Sequence, residues 1–284
     1  MAVNPRIVEI GGLKYINFNI GNIEDTGKNI IQFLNLYKTF YKIKNSIEVG
    51  SKVGYYTLVL SKMVEDITYA FEPQSSNFNF LNVNARLNNI TNITSFNLAC
   101  GDIICNIQIK KPPIVGFSNL VNENYSISQA RILDMMRFPQ IDLIKINSNG
   151  FEKKVLMGAT DLLKKYKPII IIDLFKAGSS TIDLKKAGSS TIDLKKAGSS
   201  TIDLKNTSDS DIDIFEFIRR IKYYMFYISE DGANAPTECG TEPNIFAGGG
   251  EYNSTYVCVH IEKLADFRNK FNTLNINGYE KIVY

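Results

Sequence analysis

Apolar residues along this chain alternate between two spacings. Ser46–Gly50, Ile67–Phe71, Ile93–Leu98, Ile141–Ile146 and Ile169–Leu174 are short apolar runs, and they read as strands. Between them, Tyr55–Val64 places Tyr55, Leu58, Val59 and Met63 at helical spacing. Ser75–Leu87 does the same with Phe78, Leu81 and Ala85, opened by Ser75 or Ser76 as a cap. Phe151–Tyr166 predicts one helix with Val155, Leu156, Ala159, Leu162 and Leu163 inward, broken by Pro168. Ile169–Leu174 is apolar except for Asp173, as in a parallel strand covered on both faces. A helix over Ile212–Ile221 and strands over Tyr223–Ile228 and Tyr256–Ile261 follow. This alternation predicts an α/β protein with a doubly wound sheet whose first five strands are parallel.

Residues 1–44 precede that core as an α+β extension packed on its edge, with Ile7–Ile20 a hairpin turning at Gly11-Gly12 and Lys28–Phe40 a helix. The core spans 45–262, and 263–284 form a C-terminal helix or strand extension. Three identical copies of Lys-Ala-Gly-Ser-Ser-Thr-Ile-Asp-Leu-Lys, starting at Lys176, Lys186 and Lys196, interrupt the core after the fifth strand. Polar residues extend the insertion to 210. Each copy offers only Ala, Ile and Leu to bury, too little to offset the ordering entropy of ten residues. The insertion is expected to be a mobile tether, with a short stack of turns or rungs as the alternative.

Composition narrows the function. Hydrophobic residues make up 44% of 284 and charged residues 21%, which supports a packed core. The net charge of +3 is too balanced for a phosphate-backbone binder, and the lysines form no stripe interleaved with aromatics, so no nucleic-acid partner is expected. No apolar run is long enough to span a membrane and the first residues lack a signal-peptide core, so a cytoplasmic protein is expected, in host cytoplasm or virion if the gene is viral. Abundant Asn, Ile, Lys and Tyr point to an AT-rich genome. Cys100, Cys105, Cys239 and Cys258 have neither zinc-site spacing nor the density of a disulfide framework, and read as small buried hydrophobes. A homo-oligomer is compatible with all of this.

Candidate chemistry collects at predicted strand ends. Glu48-Val49-Gly50-Ser51-Lys52-Val53-Gly54 lies where the first strand turns into the first helix. Gly50 allows a sharp turn and close approach to a ligand, Gly54 allows the helix to start near the sheet, and the helix N-terminus offers N–H groups to an anion. Glu72 ends the second strand, where a carboxylate can accept ribose hydroxyls. Asp102 follows the third strand and could accept from an adenine amino group. Open α/β sheets bind ligands at such carboxyl ends.

The motifs Glu-Val-Gly-x-x-x-Gly-Tyr-Tyr-Thr, Tyr-Ala-Phe-Glu-Pro and Phe-Asn-Leu-Ala-Cys-Gly-Asp over Ser46–Asp102 resemble those of FkbM-type S-adenosylmethionine-dependent methyltransferases. Ile141–Leu174, with Ile-Asp-Leu-Ile-Lys-Ile-Asn-Ser-Asn-Gly-Phe-Glu, Val-Leu-x-Gly-Ala and Lys-Pro-Ile-Ile-Ile-Ile-Asp, is similar to the family's second block. Weaker matches at Tyr223–Gly232 and Tyr256–His260 extend the resemblance over 45–262, minus the insertion. It implies a class I methyltransferase fold and S-adenosyl-L-methionine as cofactor, held by Glu48, Gly50, Lys52, Gly54, Tyr55, Glu72 and Asp102. It also implies methyl transfer to an oxygen of a sugar or other small-molecule acceptor.

Three departures bear on activity. Where the family carries Asp this chain has Glu48, and where it carries Asn this chain has Lys52, a cation that could pair with the cofactor carboxylate or fill its space. The acceptor-side signature Asp-Val-Glu-Gly-x-Glu reads Asn147-Ser148-Asn149-Gly150-Phe151-Glu152, so the expected catalytic positions are Asn147, Asn149 and Glu152. An amide orients a substrate but cannot act as a general base, and the lost charge argues against a metal. Glu152, Asp173 and His260 are the remaining candidate bases. An active methyltransferase, a cofactor-binding protein with impaired turnover and a structural protein on a retired fold all remain open.

Overall fold

The computed structural model describes residues 6–17, 27–110, 125–174, 214–228, 237–238 and 254–272. The repeat insertion, and with it the tether expectation, lies outside the described residues. In chain order the strands are β1 (Arg6–Ile10), β2 (Leu13–Asn17), β3 (Ser46–Val49), β4 (Thr68–Phe71), β5 (Ile93–Phe96), β6 (Ala99–Cys100), β7 (Cys105–Lys110), β8 (Tyr125–Arg131), β9 (Leu143–Ile146), β10 (Ile169–Leu174), β11 (Tyr223–Ile228), β12 (Thr237–Glu238) and β13 (Ser254–His260). The helices are α1 (Lys28–Phe40), α2 (Tyr55–Ser61), α3 (Ser75–Leu87), α4 (Glu152–Met157), α5 (Thr160–Tyr166), α6 (Ile214–Arg220) and α7 (Ile261–Asn272). Among the described residues no helix is long and apolar enough to cross a membrane.

Eight strands form the main sheet in the order β12-β11-β13-β10-β9-β3-β4-β5. The five strands expected to be parallel, β5, β4, β3, β9 and β10, are so paired. β13 runs antiparallel between β10 and β11. The result is the α/β, class I methyltransferase-like doubly wound sheet implied by the motifs. The all-isoleucine start of β10 has a direct cause: Ile170 and Ile172 enter one core with α4, α5 and α6, whereas Ile169 and Ile171 enter the other with α1 and α7. Neither face of this strand meets water, so both must be apolar.

The N-terminal hairpin is fastened by side chains. Asn84 of α3 and Asn88, the residue that caps its carboxyl end one turn on, accept hydrogen bonds from Ile16 N and Lys14 N at 2.8 Å each. Leu13 and Tyr15 bury against Leu58 of α2.

Two expectations are corrected. Phe151–Tyr166 is two helices, because Asp134 accepts from Asp161 N and Leu162 N and so caps a new start at α5. Asp134 N also donates to Gly158 O, taking up a carbonyl released by the break. Second, the strand read over Tyr256–Ile261 ends at His260, and α7 starts at Ile261 and crosses the expected core boundary at 262, with Leu264, Phe267 and Phe271 buried. The segment after Leu98, for which the sequence predicts no element, carries a small second sheet, β6-β8-β7, whose short strands lack a long apolar run.

Candidate functional site

The carboxyl ends of β3, β4 and β9 meet through two loops. Gly50, at φ +82°, follows β3, and its N–H and that of Ser51 both donate to Phe71 O, at 2.9 and 3.0 Å. A Cβ on Gly50 would lie 1.8 Å from the carbonyl oxygen of Asn147, so only glycine lets the β3–α2 turn pass the β9–α4 loop. Gly54, at φ +92°, is needed for its left-handed backbone more than for space, since a Cβ there would lie 3.0 Å from the Leu58 side chain of α2 and 3.2 Å from that of Leu81 on α3. Tyr55 opens α2 and its carbonyl accepts from the Tyr15 hydroxyl.

Glu48 is 2% exposed and accepts a short hydrogen bond from the Thr57 hydroxyl of α2. Burial pushes its carboxyl up to about 7, against the pull of the Lys145 ammonium and the Thr57 hydroxyl. Its carboxylate therefore turns into the protein and ties β3 to α2.

Glu72, 4% exposed, sits directly after β4. Oε2 accepts from Lys52 N and Oε1 from Gln74 N, both at 2.8 Å. Burial raises its carboxyl above the usual range, opposed by those two N–H groups. Lys52 contributes this backbone donor from a left-handed conformation, φ +49°, while its side chain is exposed. It does not fill the turn, which corrects one of the two roles expected for the cation.

On the acceptor side, Glu152 folds back on its own loop. Its carboxylate accepts from Ser148 N at 2.9 Å and from Gly150 N at 2.9 and 3.1 Å. These bonds hold Asn149 and Gly150 in left-handed conformations, φ +52° and +98°, with Asn149 exposed. Asn147 donates through Nδ2 to Asp173 Oδ2 at 3.0 Å. Its Oδ1 and the Ser148 hydroxyl are buried without a hydrogen-bond partner among the described residues.

Asp102 and His260 take their places from other strands. Asp102 follows β6, not β5, and its Cα would lie 3.4 Å from a Cβ on Gly158, at the α4–α5 junction. The first residue past β5 is Asn97, whose Nδ2 donates to Glu72 O at 2.8 Å and Pro73 O at 3.1 Å. His260 is no candidate base. β13 runs antiparallel with Cys258 opposite Ile170 and Ser254 opposite Leu174, so His260 falls at the amino ends of the parallel strands. There it stacks edge-on against Tyr223, and burial lowers its pKa.

Sequence reasoning missed Lys145. Its ammonium is fully buried, 2.8 Å from Asp173 Oδ2 and 4.2 Å from the centre of the Tyr56 ring. A lone lysine in an apolar strand pattern carries no signal of its own. The register decides, since it places Lys145 beside Glu48 on one face.

The arrangement fits a ligand rich in hydrogen-bond donors. A carboxylate has about four acceptor positions; Glu72 gives two to backbone N–H groups and a third to a long contact from Asn77 Nδ2 at 3.5 Å, so it keeps room for one ligand hydroxyl, or two where the ligand displaces the Asn77 amide. Asn147 Oδ1 and Ser148 Oγ add unpaired polar atoms at the neighbouring strand end.

Residues 48–184 match the methyltransferase FkbM domain family. No curated protein matches the chain. Among solved structures, methyltransferase FkbM from Methylobacillus flagellatus KT is 19% identical with a TM-score of 0.37, covering 54% of this chain and 40% of that one. This chain thus spans under half the length of that protein. Precorrin-6y C5,15-methyltransferase from Geobacter metallireducens GS-15 is 11% identical, with a TM-score of 0.40, and covers 86% of this chain and 92% of its own. A Pyrococcus abyssi tRNA (uracil-54, C5)-methyltransferase in complex with S-adenosyl-L-homocysteine is 9% identical, with a TM-score of 0.37, covering 60% of this chain and 34% of that chain.

Proposed function

We propose that this chain, whose residues 48–184 match the methyltransferase FkbM domain family, directs a methyl group to a hydroxyl of a sugar or other small molecule. The domain implies S-adenosyl-L-methionine as methyl donor. That cofactor supplies an activated methyl sulfonium, so the protein has only to align the acceptor oxygen and let its proton leave. The carrying observation is the meeting of the Gly50 turn with Glu72, whose buried carboxylate is aimed by two backbone N–H groups. Glu72 would hold the ribose hydroxyls, and the 50–54 turn would give close backbone approach.

Slow turnover is part of the proposal. Asn147 and Asn149 are amides, and the Glu152 carboxylate is occupied by the backbone of its own loop. Proton removal is then left to solvent, which favours acceptors with an acidic hydroxyl.

Calorimetric titration of the full chain with S-adenosyl-L-methionine and S-adenosyl-L-homocysteine tests this directly. Glu72→Ala should weaken both about a hundredfold, since the charge-assisted hydrogen bonds to the ribose are lost at on the order of 3 kcal/mol together. Absence of binding by the unaltered protein would remove the methyltransferase reading. Unchanged affinity in the variant would move the ribose away from β4.

A further inference from the structure

Resting on the methyltransferase reading, we propose that the inner face of β8 is the acceptor-side wall of this site, with Ser126 and Ser128 as the residues that select an acceptor bearing neighbouring hydroxyls.

β8 is the middle strand of the small sheet, with β6 on one side and β7 on the other. Side chains alternate across a strand, so Ser126, Ser128 and Ala130 share one face, with Ile109, Ile107 and Cys105 of β7 opposite them. Ser128 and Ala130 are buried, whereas Ile127 and Gln129 point the other way and are exposed. The serine face is therefore the inner one. Its lower end is fixed against α4. Arg131 O, at the end of β8, accepts from Gly101 N at 2.9 Å, and a Cβ on Gly158, directly after α4, would lie 2.0 Å from Gly101 O. One turn back along α4, the Lys154 ammonium lies close enough to Cys105 to pull its thiol down against the effect of burial. The inner face thus climbs α4 from its carboxyl end towards its start. Chain direction agrees, since Arg131 leads through Leu133–Met135 to the amino end of β9, leaving Ser128 and Ser126 on the carboxyl side. At about 3.4 Å per residue, Ser128 stands about 7 Å beyond Ala130, level with the loop 147–151 that precedes α4.

Ser126 Oγ and Ser128 Oγ are buried without a hydrogen-bond partner among the described residues, as are Asn147 Oδ1 and Ser148 Oγ in that loop. Few buried polar groups stay unpaired in a folded protein, because each loses its water for nothing. A ligand with several hydroxyls meets all four, since a serine hydroxyl both donates and accepts and the amide oxygen accepts. Ile107 and Ile109, opposite Ser128 and Ser126, set aliphatic surface beside the hydroxyls, which suits the C–H face of a hydroxylated ring. Among the described residues no side chain on this face of the β7–β8 pair carries a fixed charge, so the wall reads neutral hydroxyls rather than a carboxylate or phosphate.

Saturation-transfer NMR of the full chain tests the wall, with methyl glycosides of hexoses, 6-deoxyhexoses and pentoses as probes and phenol as a probe without neighbouring hydroxyls. Each is titrated with and without S-adenosyl-L-homocysteine. The unaltered protein should bind at least one glycoside and not phenol. Ser126→Ala and Ser128→Ala should each weaken that glycoside about fivefold, and together about 25-fold. Their Tm should be unchanged or slightly higher, because each removes an unpaired buried hydroxyl. Ile127→Ala, between them on the outer face, should bind as the unaltered protein does. Binding of phenol in place of every glycoside, no glycoside binding at all, full binding by the double variant, or an equal loss in Ile127→Ala would overturn the proposal. So would a fall of several degrees in Tm in either serine variant, since it would give these hydroxyls partners inside the protein. Binding of S-adenosyl-L-homocysteine without any glycoside would count against the wall alone. Serine-dependent glycoside binding without that cofactor product would count against the methyltransferase reading alone.

Discussion

Lys52 shows how one residue can serve a site through its backbone. Its N–H aims Glu72, but a lysine at φ +49° bears a steric cost that glycine would not. Lys52→Gly should stabilise the protein by about 0.5–1 kcal/mol, the relief of the left-handed conformation outweighing the added freedom of the unfolded chain. Urea unfolding monitors this, and a destabilised variant would show that the side chain matters more than its conformation. Asn149 is the complementary case, because Asn followed by Gly suits the two left-handed positions that Glu152 holds. The amide therefore has a conformational reason as well as a chemical consequence. Glu152, a candidate base by sequence, also clasps its own loop, which only the fold of that loop reveals.

At the level of elements, contacts between loops and helices matter more than the elements themselves. Asn84 is fully buried on α3, accepting from Ile16 N at 2.8 Å and donating to Val53 O at 2.9 Å. It thereby connects the hairpin, the glycine turn and α3. Asn84→Ala would leave both backbone groups unpaired, a loss of about 2 kcal/mol or more. Amide exchange should quicken at Ile16 and its β1 partner Ile7 while β3, β9 and β10 stay protected. Uniform loss of protection would show that the hairpin is inseparable from the sheet. The same long-range logic splits the expected Phe151–Tyr166 helix. Its apolar residues keep helical spacing without interruption, but Asp134, far away in the chain, offers the cap that makes a break favourable.

For the whole molecule, the buried charges on the Lys145 face couple stability to pH. Glu48 has a carboxyl raised from the ordinary value of 4.5 to about 7, so the folded state holds its proton more tightly than the unfolded state. Its contribution is fully favourable below 4.5 and is lost as pH rises through 7. Glu48→Gln cannot titrate and should gain on the unaltered protein by on the order of 2 kcal/mol between pH 4.5 and 8. Urea midpoints at both pH values measure the difference. A constant difference would mean that Lys145 keeps Glu48 ionised throughout.

Whatever depends on local periodicity was legible in the sequence. The five central strands and their parallel direction followed from apolar runs separated by helical spacing, because a buried parallel strand must be apolar on both faces. Gly50 and Glu72 were legible for a similar reason: strand ends are where an α/β sheet exposes backbone, and glycine or an acid there stands out against apolar neighbours. Pairing across the sheet was not legible. β13 runs opposite to its neighbours, and that direction carries His260 to the far edge and brings Thr255 to Asp173. Lys145 gains its importance only when register sets it beside Glu48 and packing removes the water that would otherwise solvate it. Local pattern thus determines which residues can be buried or can turn, while the partner of each buried charge depends on strand direction and register, which join residues far apart in the chain.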